Sequence, residues 1–406
     1  MEENRKSDEG ISFPKNMLLP KEEMLEVKQK GQKIKIGIPS DFSKVEYRVP
    51  LTPQAVDLLI SYGHEILIET NAGKSANYTD EEYREVGATV VEKKGEVFQS
   101  DIILKVAPFD CDEIDLLRGN QVVFSNMQIQ SHCNESIEKL MKKKITTIAY
   151  EYFENEDGTL PFVHQMSQIA GITSITIASE YLSNSHKGKG VLFGDVTGIT
   201  PAELVIIGTS TAAEFAAKAA LALGIFVKVF DTSISDLSNL EEKLGQRIFT
   251  SVFYPKVLKK ALVSADAVIG ATSFNTTPKF KVSEDMVKTM KEGTVIIDLN
   301  VSQGGCFETS RCTDLNNPVY TEHGVVHYCV PNIPSIVART ASISLSNILI
   351  PVLLSISDYG GTDNYIKYSK GFRKGVYIYR GILTNRDVGD YFNLPYQDIN
   401  LLLAAY

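Results

Sequence analysis

The stretch LVIIGTSTAAEFAAKAALALGIFVKVFD, from Leu204 to Asp231, strings together an apolar run, a turn of small residues, an alanine-rich helical segment and a second apolar run ending in an acid. That is the layout of a dinucleotide-binding strand–turn–helix–strand, whose usual turn reads G-x-G-x-x-G. The first glycine permits the tight turn, the second lets the backbone approach the pyrophosphate, and the third lets the helix pack closely on the strand. Here Gly208 keeps the first role, Ser210 stands at the second position, and Ala213, a tolerated variant, at the third. The Ser210 side chain sits where the phosphate must come close, although its hydroxyl can donate a hydrogen bond there. The helix start at Thr211 and Ala212 still offers free N–H groups and the positive end of the helix dipole. Asp231 suits an acid that binds the adenosine ribose and favours NAD over NADP. A unit of this kind folds identically with nothing bound, so the turn alone leaves both readings open.

The elements that must position this turn come as two tandem units of alternating strands and helices. Before residue 150, KIKIGIP, EILIET, DIILKVA, QVVFSNM and ITTIAYE read as strands, and TPQAVDLLISYG as a helix with Thr52 at its N-cap and Pro53 in its first turn. The second unit has strands near 204–208, 226–231, 267–271, 294–299 and 325–330. Short apolar strands alternating with helices predict parallel sheets covered on both faces. Two long apolar helices, SQIAGITSITIASEYLSN and TASISLSNILIPVLLSIS, bracket the second unit. The expected architecture is therefore α/β, with two Rossmann-like doubly wound domains joined by two long hinge helices. Residues 1–32 form an N-terminal extension with an amphipathic piece near Glu22–Lys30. Residues 33–165 plus 341–406 form one domain, and 166–340 form a second inserted in it. A ligand is expected in the cleft between them.

Composition excludes several classes. The net charge of −9 gives a nucleic-acid partner no support. The five cysteines are odd in number and lack C-x-x-C spacing, which fits a reduced, cytoplasmic setting without a metal site. The N-terminus is charged and acidic, unlike a signal peptide. The most apolar stretch, Ile343 to Ile356, is too short to span a bilayer and contains serine and Pro351. No membrane partner is expected.

Six collinear stretches resemble the alanine dehydrogenase and nicotinamide nucleotide transhydrogenase (alpha subunit) family. They are IGIPSDFSKVEYRVPLTPQAV, ILKVA, QMSQIAG, GVLFGDVTGITPAELVIIG, DLNVSQGGCFETS and VVHYCVPNIPSIVARTAS. The resemblance runs from about Lys33 to Leu403 and leans to the dehydrogenase side. It implies that the first domain binds a small amino or keto acid and the second binds NAD. Arg48 and Lys105 match the substrate-binding arginine and lysine. An arginine pairs a carboxylate bidentately and a lysine polarises a carbonyl. Ser167, Asp231, Val330 and Asn332 match positions that touch the dinucleotide, beside Gly208, Ser210, Thr211 and Ala212 of the turn. Ser167 also reads as a helix N-cap. A homo-oligomer, a hexamer among dehydrogenases, is implied as well.

Two positions depart from the dehydrogenase pattern. Gln128 stands where the resemblance expects a histidine acid/base, and Ser302 where it expects an aspartate. Neither exchanges protons near neutral pH. Lys105, His132 or His327 would have to stand in. His132 would do so from the same face of a helix beginning nearby, whereas His327 reads as packed or surface. Three functions follow. The first is an NAD-dependent alanine dehydrogenase, or one acting on a related small amino acid. The second is a catalytically impaired sensor of keto acid or NAD(H), or a scaffold. The third is a soluble hydride-transfer protein of transhydrogenase type.

Overall fold

The computed structural model describes residues 31–41, 46–129, 132–273 and 280–404. The amphipathic piece near Glu22–Lys30 lies outside them. The first unit contributes β1 (Lys35–Ile38), β2 (Glu65–Glu69), β3 (Thr89–Val91), β4 (Ile102–Leu104), β5 (Val122–Ser125) and β6 (Thr146–Ala149). The second contributes β7 (Glu203–Ile207), β8 (Phe226–Asp231), β9 (Phe249–Val252), β10 (Ala267–Gly270), β11 (Val295–Asp298), β12 (Val319–Glu322) and β13 (Val325–Tyr328). The chain then returns to add β14 (Val376–Tyr379) and β15 (Ile382–Leu383) to the first sheet.

The first sheet runs β15-β14-β6-β5-β4-β1-β2-β3 and the second β12-β13-β11-β10-β7-β8-β9. Within each, the parallel strands follow the doubly wound order, which reverses between β1 and β4 and between β7 and β10. Antiparallel β14 and β12 extend one edge of each sheet. Strands β6, β10 and β11 are buried along their whole length. They therefore read as continuous apolar runs rather than alternating ones.

Four segments read without elements from sequence fold into strands, the first of them β3. FTSV of β9 is half-exposed and only partly apolar. Strand β12 forms a hairpin with β13. The tail rich in tyrosine and glycine supplies β14, which pairs with β6 more than two hundred positions away, and β15, which pairs with β14.

The first long helix spans Pro161–Leu182, with Pro161 in its first turn. It begins six residues before Ser167, so the N-cap reading of Ser167 is corrected: that residue is in the helix interior. Phe162 and Met166 join the core of the first domain, while Ile175, Ala178 and Leu182 join the core of the second. The helix packs closely on Thr211–Ala222 because both sides are small. A Cβ on Gly171 would lie 2.3 Å from the Ala212 carbonyl oxygen, and Ala212, Ala213, Ala216 and Ala217 are buried.

The second long helix, Ala338–Asp358, continues through Pro351. With its lead-in from Ile333 it is long and apolar enough, by length and composition, to cross a membrane, so the shorter reading of 343–356 is corrected. Its buried face, Ala341, Leu345, Leu349, Leu353 and Ile356, packs into the core of the first domain against Leu59 and Ile36. Leu349 is fully buried there. Leu349→Ala should lower stability by ~2–5 kcal/mol, read as a lower midpoint in thermal or urea unfolding.

Candidate functional site

The site starts from a segment that joins no sheet. Residues 46–52 run extended along the second long helix and its lead-in, and serine hydroxyls satisfy their backbone donors. Tyr47 N–H donates to Ser335 Oγ at 2.6 Å, Val49 N–H to Ser342 Oγ at 2.9 Å, and Thr52 N–H to Ser346 Oγ at 3.0 Å. This lacing fixes Arg48, which is buried. Its Nε and Nη2 each donate to one oxygen of Glu46 at 2.7 Å, and its Nη1 faces the weak acceptor Met166 Sδ at 3.2 Å. Burial alone would lower the pKa of the guanidinium, but the Glu46 carboxylate outweighs it and raises it. Glu46 also accepts from Asn332 Nδ2 at 2.8 Å and from Ser335 Oγ at 3.3 Å.

Between the two domains lies a cavity of about 520 Å³. Arg48, Gln128, Ser167 and Ser302 line it, as do Ser210, Thr211, Ala212 and Asn332. Strand ends and loops deliver Arg48, Gln128, Ser210, Ser302 and Asn332, and two helices deliver Ser167, Thr211 and Ala212, at the carboxyl edges of the doubly wound sheets. Gln128 follows β5 and holds a left-handed backbone, φ 31°. That conformation is uncommon for a residue other than glycine, and such residues cluster at functional sites. Ser302 sits in the short turn Val301–Gln303 after β11. The loop carrying it is anchored by buried Asp298, which accepts from Asn300 N–H, Cys306 N–H and Ser310 Oγ. Burial raises the pKa of Asp298 against these bonds.

Gly208, Asp231, Val330 and Lys105 do not line the cavity. Gly208 lies beneath the turn at φ 106°, where a Cβ would stand 2.3 Å from the Ala271 carbonyl oxygen. Ser210 caps the following helix, its Oγ accepting from Ala213 N–H at 3.4 Å. Asp231, at the end of β8, accepts from Thr209 Oγ1 at 2.8 Å and from Ser233 N–H at 3.0 Å. Val330 is buried in the core of the second domain. Lys105 is a buried cation held by Glu113 Oε2 at 2.6 Å and the Pro108 carbonyl at 3.2 Å. It reaches towards the Arg48 side only through Asp41, 4.0 Å away, whose charge also acts on Arg48.

The two histidines face elsewhere. His132 precedes the helix Asn134–Lys142 rather than riding on it, and its ring is buried against Tyr377. Burial lowers its pKa. His327 is fully buried, with Nε2 2.8 Å from Thr309 Oγ1 and its ring stacked on Tyr320. Among the described residues, no group of three or more His, Cys, Asp or Glu could hold a metal ion.

Sequence reasoning passes over one residue that lines the cavity. Glu151 lies in the short turn Tyr150–Tyr152, two residues after the end of β6, and is 2% exposed. Its Oε1 accepts from Met127 N–H at 2.5 Å, and its Oε2 has no partner among the described residues. Burial pushes its carboxyl up to about 8, against backbone bonds from Met127 and Gln128. The signal available in sequence is an acid two residues past the strand TTIA.

A larger cavity, about 790 Å³, opens at the opposite, amino ends of the strands of the first sheet, beside Gln32, Arg118, Lys144 and Arg380. It holds none of the residues singled out above, and the cleft between the domains is the better candidate.

Comparison with known proteins agrees with this geometry. Residues 37–170 match the model for the alanine dehydrogenase/PNT N-terminal domain, and residues 174–386 that for the C-terminal domain. Alanine dehydrogenase of Staphylococcus epidermidis is 35% identical over 371 residues, 90% of this chain and 99% of that protein. The solved structure of an L-alanine dehydrogenase superposes with a TM-score of 0.82 at 33% identity, covering 89% of this chain and 99% of that one. A transhydrogenase from Sinorhizobium meliloti shares the fold, with a TM-score of 0.73 at 21% identity over 87% of this chain and 99% of that one. Matched across both domains and nearly end to end by its relatives, the chain belongs to the alanine dehydrogenase/PNT family.

Proposed function

We propose that the chain catalyses the reversible, NAD-dependent oxidative deamination of L-alanine, or of a closely related small amino acid, to the 2-oxo acid and ammonia. The observation that carries this reading is the cavity between the domains, with Arg48 in one wall and the start of the helix Thr211–Ala222 in another. Its volume suits a small ligand beside the end of a dinucleotide. The same reading has the enzyme working in the cytoplasm as a homo-oligomer, a hexamer by resemblance.

The residues present fit a dinucleotide. Gly208 makes the tight turn, the helix N-terminus that follows opens on the cavity, and the Asp231 carboxylate closes the next strand. Ser210 narrows the phosphate approach, and its hydroxyl oxygen is engaged by the helix cap. When bound, NAD supplies the hydride acceptor. The chain supplies orientation. Arg48 holds Glu46 on its Nε–Nη2 edge and keeps Nη1, opposed only by a thioether among its hydrogen-bond contacts, for the substrate carboxylate. Apolar Phe162, Val163 and Met166 leave room for a short side chain.

Purified protein should bind NADH saturably by fluorescence, bind it more tightly with pyruvate present, and turn over pyruvate with ammonia. No binding up to millimolar NADH overturns the reading in favour of a scaffold. Ser210→Gly widens the phosphate approach, and glycine costs an N-cap only about a few tenths of a kcal/mol. This variant should bind NADH more tightly in the same titration. Arg48→Lys replaces a fork by a point charge that cannot serve Glu46 and a substrate together. Loss of ~1.5–3 kcal/mol of charged hydrogen bonding should raise KM for the amino acid about 10–100-fold, measured by steady-state kinetics.

A further inference from the structure

The reaction needs proton traffic that neither Gln128 nor Ser302 can provide. Pyruvate and ammonia join into a carbinolamine, and its hydroxyl must leave as water before hydride reaches the carbon. We propose that Glu151 carries this traffic, protonating the departing hydroxyl during amination and taking a proton from the attacking water during deamination. The proposal deepens the dehydrogenase reading and rests on it.

Placement is the first argument. Glu151 and Gln128 line the same cavity, on neighbouring parallel strand ends. One carboxyl oxygen is fixed by the backbone of the 127–128 turn, and the other is left without a partner in a nearly sealed position. Buried polar atoms are rarely left so, and an orphaned one at a cavity wall calls for an explanation. An oxygen that bonds only to a passing substrate provides it.

The surroundings are the second argument. The titratable neighbours of Glu151 are Tyr150 and Tyr377, both with their pKa values raised by burial and so neutral. His132 packs behind Tyr377 and is held neutral by burial. Arg48, in the same cavity, has its charge matched by Glu46. Among the described residues, no charged side chain acts on Glu151. The carboxyl is therefore protonated at neutral pH, with a value of about 8 that suits both directions of exchange.

The step balances. In amination the Glu151 O–H gives its proton to the carbinolamine hydroxyl and the C–O bond breaks. The nitrogen lone pair closes C=N, and water leaves an iminium beside the Glu151 carboxylate. In deamination water adds to that carbon as the carboxylate takes its proton. The resulting acid then protonates the nitrogen, and its carboxylate takes up the hydroxyl proton as C=O forms, the C–N bond breaks and ammonia leaves.

The test compares wild type with Glu151→Gln and Glu151→Asp. Glutamine keeps an oxygen for Met127 N–H and resembles the protonated acid in shape. Glu151→Gln should bind NADH and pyruvate as wild type does, yet lose ~10²–10⁴-fold in kcat. Wild-type amination should fall, and deamination rise, as pH passes about 8, a step that Glu151→Gln lacks and Glu151→Asp keeps. A second readout needs no cofactor. The folded carboxyl holds its proton to about 8 and the unfolded one to about 4.5, so between those values only the native state is protonated. Wild type should therefore lose melting temperature relative to Glu151→Gln as pH rises across that window, with no such trend below it. An active wild type matched in rate and pH profile by Glu151→Gln overturns the proposal alone. So does a Glu151→Gln that no longer binds pyruvate, or a flat difference in melting. A wild type that turns over nothing overturns the dehydrogenase reading and this role with it.

Discussion

The site depends on a buried charge pair that nothing in either sheet supports. Glu46 and Arg48 lie two residues apart on an extended segment, and both are about 4–5% exposed. Taking two ions out of water costs several kcal/mol for each unless the remaining donors and lone pairs are satisfied. They are satisfied here by the neighbouring domain boundary. Glu46 receives two donors from its own arginine, a backbone N–H from the same residue, and the side chains of Asn332 and Ser335. The serines that lace residues 47–52 to the second long helix hold the segment in line. Asn332 and Ser335 lie where the chain leaves the second core at Ile333 and enters the first at Ala338. One carboxylate thus fixes both the arginine in the cavity wall and the place where the two domains meet. A pair of this kind is weak evidence for stability and better evidence for a fixed geometry.

The second domain meets the same cleft through a turn that gives up backbone access for a stronger helix start. Ser210 supplies the cap that a glycine at this position cannot make with a side chain, and Thr209 ties the turn to Asp231. The first glycine stays because its φ and the Ala271 carbonyl leave no room for a Cβ. The small residues behind the turn let the first long helix approach within a Cβ's width. The helix that positions Ser167 and Met166 therefore also sets the distance between the substrate wall and the dinucleotide wall.

Much of this was legible in sequence where local chemistry and burial agree. Continuous apolar strands announced two parallel sheets, Thr52 and Pro53 announced a helix start, and Gly208 announced a turn. What is not legible depends on packing that a local pattern does not show. Strand β14 is short and pairs with β6, more than two hundred residues earlier, and β15 pairs with β14. The pairing of Lys105 with Glu113, on a helix eight residues later, is not visible in the sequence. Ser167 looked like a cap because the apolar helical pattern was read from there, whereas Pro161 starts the helix earlier. Glu151 was passed over because an acid after a strand usually reads as the solvated start of a loop. Only the packed structure shows it buried.

Burial explains why a carboxyl can serve where a histidine would be expected. An imidazole near neutrality exchanges protons without special surroundings, whereas a carboxyl must be moved up by several pH units. Desolvation supplies that shift, and among the described residues no charged side chain opposes it. The backbone N–H groups of Met127 and Gln128 pull the other way and keep the shift from running so high that the proton is never released. The left-handed backbone at Gln128 is the strained feature of that same turn. The side chain at position 128 cannot exchange a proton, yet the turn it occupies orients the group that can. Moving proton chemistry from the side chain of one strand end to the carboxyl of the next leaves the cavity, the arginine and the dinucleotide turn where they were.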